Sequence, residues 1–213
     1  MFKKLFVLIP VLFFSFSLSA QDDFKIGLQG GLNYPDVWGN EYAKYQDFKI
    51  GYLLGVSLEQ PLSKNWSIKA NLTYERKSKK FEVVYYDWNA EESGTENFRH
   101  VYEYINVPVL LKYELGNSGI FANAGPFLNY LLNNPIKPND PYDDTMARPE
   151  QKKVDFGLSA GIGFAIPLDE RNEFSIELRD DLGLTDIGGV PPHVSGTQKT
   201  NTVKLILGWN LGI

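Results

Sequence analysis

"VDFGLSAGIGFAIPL", residues 154–168, alternates from end to end. Val154, Phe156, Leu158, Ala160, Ile162, Phe164 and Ile166 share one parity, and Asp155, Gly157, Ser159, Gly161, Gly163 and Ala165 share the other. Successive side chains of a strand point to opposite faces, so this period of two sends large apolar groups one way and small or polar groups the other. The glycines are the informative part. Glycine weakens a strand and is kept where a neighbour approaches closely. One face therefore meets an apolar medium, and the other a crowded polar interior.

The same period recurs at 24–34, 48–60, 65–77, 101–115, 119–132, 172–182 and 202–213, giving eight strands. The connections between them alternate in length. Those at 35–47, 78–100, 133–153 and 183–201 are long and polar, whereas 61–64, 116–118 and 168–171 are short. Antiparallel strands joined this way gather the long loops at one end and the short turns, with both termini, at the other.

The N-terminus, "MFKKLFVLIPVLFFSFSLSAQDD", has a basic start at Lys3 and Lys4, an apolar run over 5–16, and small residues at Ser17, Ser19 and Ala20. It predicts a secretory signal peptide, residues 1–20, cut after Ala20, and one mature domain, 21–213. The apolar run is short for a bilayer span. The chain of 213 residues carries a net charge of −5, or −7 once Lys3 and Lys4 are removed. An acidic chain with no basic tract argues against nucleic acid as a partner. The absence of cysteine excludes thiol nucleophiles and thiolate metal sites.

Period two alone fits both a transmembrane barrel and a soluble barrel such as a lipocalin, whose apolar face points inward. Three features favour the membrane. Most segments reach the 9–11 residues of a tilted membrane strand, against the usual 5–6. Aromatics occupy both ends of the apolar stripes: Phe24, Trp66, Tyr113, Phe174 and Trp209 near the turns, and Tyr34, Phe48, Tyr74, Tyr130 and Phe156 near the loops. Paired interfacial girdles have this form. Glycines such as Gly27, Gly31, Gly51 and Gly55 sit on the opposite face, as a narrow lumen requires. The prediction is an eight-stranded antiparallel up-and-down transmembrane β-barrel, closed by pairing the last strand with the first, because hydrocarbon tolerates no open sheet edge.

Four stretches, "YEYINVPVLLKYEL" (102–115), "NAGPFLNYLL" (123–132), "DFGLSAGIGFAIPL" (155–168) and "ELRDDLGLTDI" (177–187), resemble in order the PorT-type outer-membrane β-barrel family. The resemblance covers most of the second half. It implies an integral protein of the Gram-negative outer membrane, and for some members a link to secretion. The chain departs from the pattern at its last residue, Ile213, where an aromatic is usual, and at Asp180–Asp181, which replace an aromatic and a polar residue.

The inward parity holds Lys25, Lys49, Lys69, Lys77, Lys112, Arg179 and Lys204, and against them Glu59, Glu75, Glu114, Asp155, Glu173, Glu177 and Asp181. An eight-stranded barrel is just wide enough for side chains to fill it, so these predict a structural network of ion pairs in the lumen. A narrow polar conduit is the functional alternative. His100 and His193 read as loop-end residues with no serine placed beside them, so no catalytic residue is assigned. Asp140, Asp143 and Asp144 lack a calcium-loop spacing, and neither metal nor cofactor is assigned. Pro108 and Pro126 fall inside strands, where each removes a ladder donor and predicts a bulge.

The function that follows is a non-enzymatic structural or interaction component of the envelope, accessory to transport or secretion. Its partners are outer-membrane lipids, including lipopolysaccharide, and a protein engaged through extracellular loops near Trp88. A soluble periplasmic binder of an apolar ligand and a lipid-modifying barrel enzyme are the alternatives.

Overall fold

A computed structural model describes residues 24–41, 43, 46–89, 91–133, 151–189 and 195–213. The segment 1–20 predicted as a signal peptide, the carboxylates Asp140, Asp143 and Asp144, and His193 lie outside the described residues. Eight strands follow in chain order: β1 (Lys25–Asn40), β2 (Asp47–Pro61), β3 (Trp66–Tyr86), β4 (Glu92–Glu114), β5 (Ile120–Asn133), β6 (Val154–Pro167), β7 (Asn172–Gly183) and β8 (Gly196–Gly212). Each pairs antiparallel with its neighbour in sequence, and β8 pairs with β1, closing the barrel.

The alternation decides which way the wall faces. Leu158, Ile162, Leu205 and Leu207 are outward and well exposed, while Arg179 and Lys204 on adjacent positions are buried. Turning the wall over would place every apolar stripe inside, since neighbouring positions point to opposite faces. A lipocalin-like interior is therefore contradicted by this structure: its apolar stripes point away from a bore that is mostly polar and charged.

Several boundaries differ from the periodicity. β1 runs on to Asn40, and β8 begins at Gly196 instead of 202, because the β1–β8 ladder continues from Tyr34↔Val203 to Trp38↔Lys199. The polar stretch 78–100 is not a loop. β3 and β4 stay paired from Ser78↔Val101 to Tyr86↔Glu92, so this stretch is a long hairpin. Its sequence "KKFEVVYY" is rich in β-branched and aromatic residues, which outweigh the polarity of the returning strand.

Phe48 was expected outside and is buried. Between Lys49↔Ser78 and Tyr52↔Arg76 the β2–β3 register shifts by one residue, with the extra residue on β2. A bulge reverses the parity beyond it. Phe48 turns inward against Val37 and Ala43. The prolines, by contrast, produce no bulge. Pairing lapses between Pro108↔Phe127 and Leu111↔Ala124 and resumes in the same register. Pro126 still pairs with Leu158 on its other side. Pro108 falls in a second lapse, in the β3–β4 ladder between Ala70↔Val109 and Thr73↔Asn106, and Pro126 falls in the β4–β5 one, so each missing donor lies where a ladder already skips. In the β4–β5 lapse Gly125 lets the strands close: a Cβ on it would stand 2.0 Å from the Val109 carbonyl oxygen.

Candidate functional site

The lumen is filled by charged groups from seven of the eight strands, with β5 contributing the amides of Asn123 and Asn129, because inward positions recur at every second residue. Nearest the turns, Lys25 Nζ lies 2.8 Å from Glu173 Oε2, and Asn210 Nδ2 donates to Glu173 Oε1 at 3.0 Å. Above them Lys112 Nζ donates to both oxygens of Glu59, at 3.0 and 3.2 Å, and lies 2.7 Å from Glu114. Ser67 Oγ supplies Glu59 with a further donor at 2.8 Å.

Mid-barrel, Glu177 receives Arg179 Nε at 2.6 Å, Asn123 Nδ2 at 2.9 Å and Lys69 Nζ at 3.3 Å. With the Asn71 amide turned to accept, both terminal nitrogens of Arg179 reach its oxygen, at 2.9 and 3.1 Å. The next layer centres on Lys204, which donates to Glu75 and, at 2.5 Å, to Asp181. Lys77 Nζ lies 3.1 Å from Glu75 and donates to Thr202 at 3.0 Å. Ser159 and Asn106 complete Asp181, at 2.6 and 3.2 Å.

Asp155 differs from the other buried carboxylates. It accepts from Thr200 Oγ1 at 2.6 Å, Thr185 Oγ1 at 2.9 Å and Asn129 Nδ2 at 3.2 Å, and meets no cation among the described residues. Asn129 accepts from Asn106 at 2.7 Å, so neutral amides connect Asp155 to the Asp181 layer. Beyond it, a cavity of about 30 Å³ lined by Val37, Phe48, Tyr104, Ile187 and Thr200 marks the loop end of the bore. It has room for a water or two.

The charges carry opposite signs at ion-pair distance and mutually neutralise one another. This matters because a buried charge without a partner costs several kcal/mol. Lys69, Glu75, Lys112, Glu177, Arg179 and Lys204 are brought into direct pairs, whereas Asp155 is held by hydroxyls and an amide. Lys49 is half-buried at the β2 bulge.

Outside, Tyr34, Trp66, Tyr113, Tyr130 and Trp209 are exposed, and Phe24, Tyr74 and Phe174 are half-buried. Trp66 and Tyr113 pack at 4.7 Å between ring centroids across the β3–β4 ladder. The Trp209 indole N–H donates to Asn172 Oδ1 at 3.0 Å in the last turn.

Two interior aromatics of β5 escaped the sequence reading. Phe121 and Phe127 share the polar parity of β5 and are fully buried in the bore. Their register partners are Gly163 and Gly157. A Cβ on Gly163 would stand 2.3 Å from the Phe121 ring, and one on Gly157 2.7 Å from the Phe127 ring. Cross-strand aromatics thus occupy the space the β6 glycines leave. The usable signal was a glycine-rich parity facing a strand with aromatics on both parities.

The family model described as outer membrane protein beta-barrel domain matches residues 19–189. No curated protein matches. Among solved structures, the outer membrane protein OprG from Pseudomonas aeruginosa is 13% identical with a TM-score of 0.59, over 90% of this chain and 96% of that one. Neisserial surface protein A is 9% identical with a TM-score of 0.51, over 89% and 97%. At these identities the likeness concerns the fold.

Proposed function

The chain belongs to the outer membrane protein beta-barrel domain family, and from that membership we propose a closed, non-conducting barrel that serves the envelope as a structural or interaction component. It is an integral outer-membrane protein. The observation that carries the finer reading is the filling of the bore: Lys112, Phe121, Phe127, Arg179 and Lys204 are all buried to within 2%. A water-filled conduit would leave such groups solvated.

The long β3–β4 hairpin supports an interaction role. At its tip Asp87 Oδ1 accepts from the amides of Asn89 and Glu91, at 2.8 and 3.0 Å, and Trp88 stands fully exposed between them. An ordered, exposed tryptophan is a common anchor for a partner. The reading places loops outside the cell and turns with both termini in the periplasm, with lipopolysaccharide and a protein as partners. The PorT-type resemblance supports a position beside a transport or secretion assembly. Of the two histidines a lipid-modifying enzyme would draw on, His100 stacks on Tyr102 with 4.4 Å between ring centroids, and His193 lies outside the described residues.

Planar-bilayer recording on heat-modifiable, folded protein tests this reading. A silent bilayer is the expected result, and steady unitary conductance would refute the closed bore.

A further inference from the structure

Between β1 and β2 the ladder ends at Asn33↔Gly51, while each strand continues toward the loops with its other neighbour. The β2 bulge lies at the same place. The two leave a cleft of about 260 Å³ in the outer wall, lined by Leu32, Ile50, Gly51, Tyr52, Arg76 and Ser78. Leu32, Ile50 and Tyr52 are exposed outward. The cleft therefore opens to the surroundings of the barrel and not to the bore.

Arg76 gives this cleft a chemistry. It follows Leu72 and Tyr74 on the outward parity of β3 and is half-buried. Its guanidinium makes no hydrogen bond or ion pair among the described residues. Its register partner Glu103 forms no ion pair with it, although the buried cations around the same strand, Lys69 and Lys77, both have carboxylates. A guanidinium has five donors in a fork suited to two oxygens of a phosphate. A cation at membrane depth ordinarily finds a partner. Arg76 stands two residues beyond Tyr74 toward the loops, where an aromatic belt gives way to headgroups. Exposed Lys80 lies four residues farther along the strand.

We infer that the β1–β2–β3 cleft binds a phosphorylated lipid of the surrounding leaflet, with one acyl chain against Leu32, Ile50 and Tyr52 and the headgroup phosphate on Arg76. The apolar floor and single cationic end match an amphiphile whose charge sits at the head of its chains. Free phosphate would gain nothing from the floor, and an uncharged lipid nothing from Arg76. This inference rests on the proposed outward placement of the loop end for the identity of the leaflet, but the site itself does not depend on orientation.

Native mass spectrometry of the full mature chain in detergent separates the two. The probes are bis-phosphorylated lipid A, the same lipid dephosphorylated, and inorganic phosphate. Wild type should retain the phosphorylated lipid about tenfold better than the dephosphorylated one, the scale of one charge-assisted contact. Arg76→Gln should abolish that preference, Arg76→Lys should keep part of it, and Arg171→Gln, at the turn end, should leave it unchanged. Equal retention of the two lipids, unchanged selectivity in Arg76→Gln, or displacement by equimolar inorganic phosphate would overturn the inference. Should Arg76→Gln not fold, the wild-type comparison of the two lipids decides. Wrong orientation would leave this result intact and appear only in surface labelling of the loops.

Discussion

The Phe121 ring occupies the notch left by Gly163 on the facing strand, and Lys112 Nζ stands 4.8 Å from the centre of that ring. The glycine parity of β6 is thus shaped by what β5 and β4 put into the bore. Gly163→Ala would drive its new Cβ into the ring and to 2.6 Å from the Ile176 carbonyl oxygen. We expect a loss of about 1–3 kcal/mol, the usual cost of overpacking. Phe121→Leu in the same chain should recover part of it, with a coupling of about 0.5–3 kcal/mol. Urea unfolding in lipid vesicles reads both. Additive losses would show that the ring and the glycine do not share one space.

How much of this was legible follows from what alternation records. It assigns each residue to one of two faces, so the eight strands, the closure and the outward stripe from Val154 to Ile166 could be read directly. It does not record register. The pairing of Phe121 with Gly163, and of Phe127 with Gly157, depends on which residues come opposite, and the β5 aromatics looked alike on both parities. Phe48 was misplaced because one extra residue near Ile50 reverses parity beyond it. The hairpin over 78–100 was missed because polarity was weighed above the run from Phe81 to Tyr86. Local propensity and polarity disagreed there, and the ladder followed propensity.

Lys204 is shared by two carboxylates, Glu75 and Asp181. Lys204→Met should cost about 3–5 kcal/mol, because both anions then lose their shared cation in a bore closed to water. The triple variant Lys204→Met, Glu75→Gln, Asp181→Asn should recover most of this. Thermal unfolding followed by the gel-mobility change on heating distinguishes the two. A single variant as stable as wild type would mean that the layer is not electrostatically coupled.

Asp186, in the loop after β7, supplies a pH dependence. The Lys152 ammonium, donating at 2.8 Å, holds its carboxyl below the usual range, helped by the amides of Gln198 and Gly188. A carboxyl whose folded pKa is depressed adds stability above its unfolded pKa, and that stability is lost as pH falls through the folded value. Protection factors for the Gln198 and Ile187 amides should therefore decline across the acidic carboxylate range. Asp186→Asn should remove that decline. Because the pair is largely exposed, added salt should weaken the effect. A decline of equal size in Asp186→Asn would assign it elsewhere.

The chain has no cysteine, so Trp88→Cys creates a single labelling site at the hairpin tip. Intact cells should label with a membrane-impermeant maleimide, which would place the loops outside. Labelling that appears only after the outer membrane is broken would invert the orientation.

The central claim is that an apolar wall faces lipid around a bore sealed by paired charges. Single spin labels along β8, at Thr202, Val203, Leu205, Leu207 and Gly208 in protein reconstituted into bilayers, test it most directly. Collision with dissolved oxygen should alternate along the strand, high at Val203, Leu205 and Leu207 and low at Thr202 and Gly208, with a polar nickel reagent excluded from all five. Nickel-reagent access at Leu205 and Leu207, or oxygen access without alternation, would contradict it.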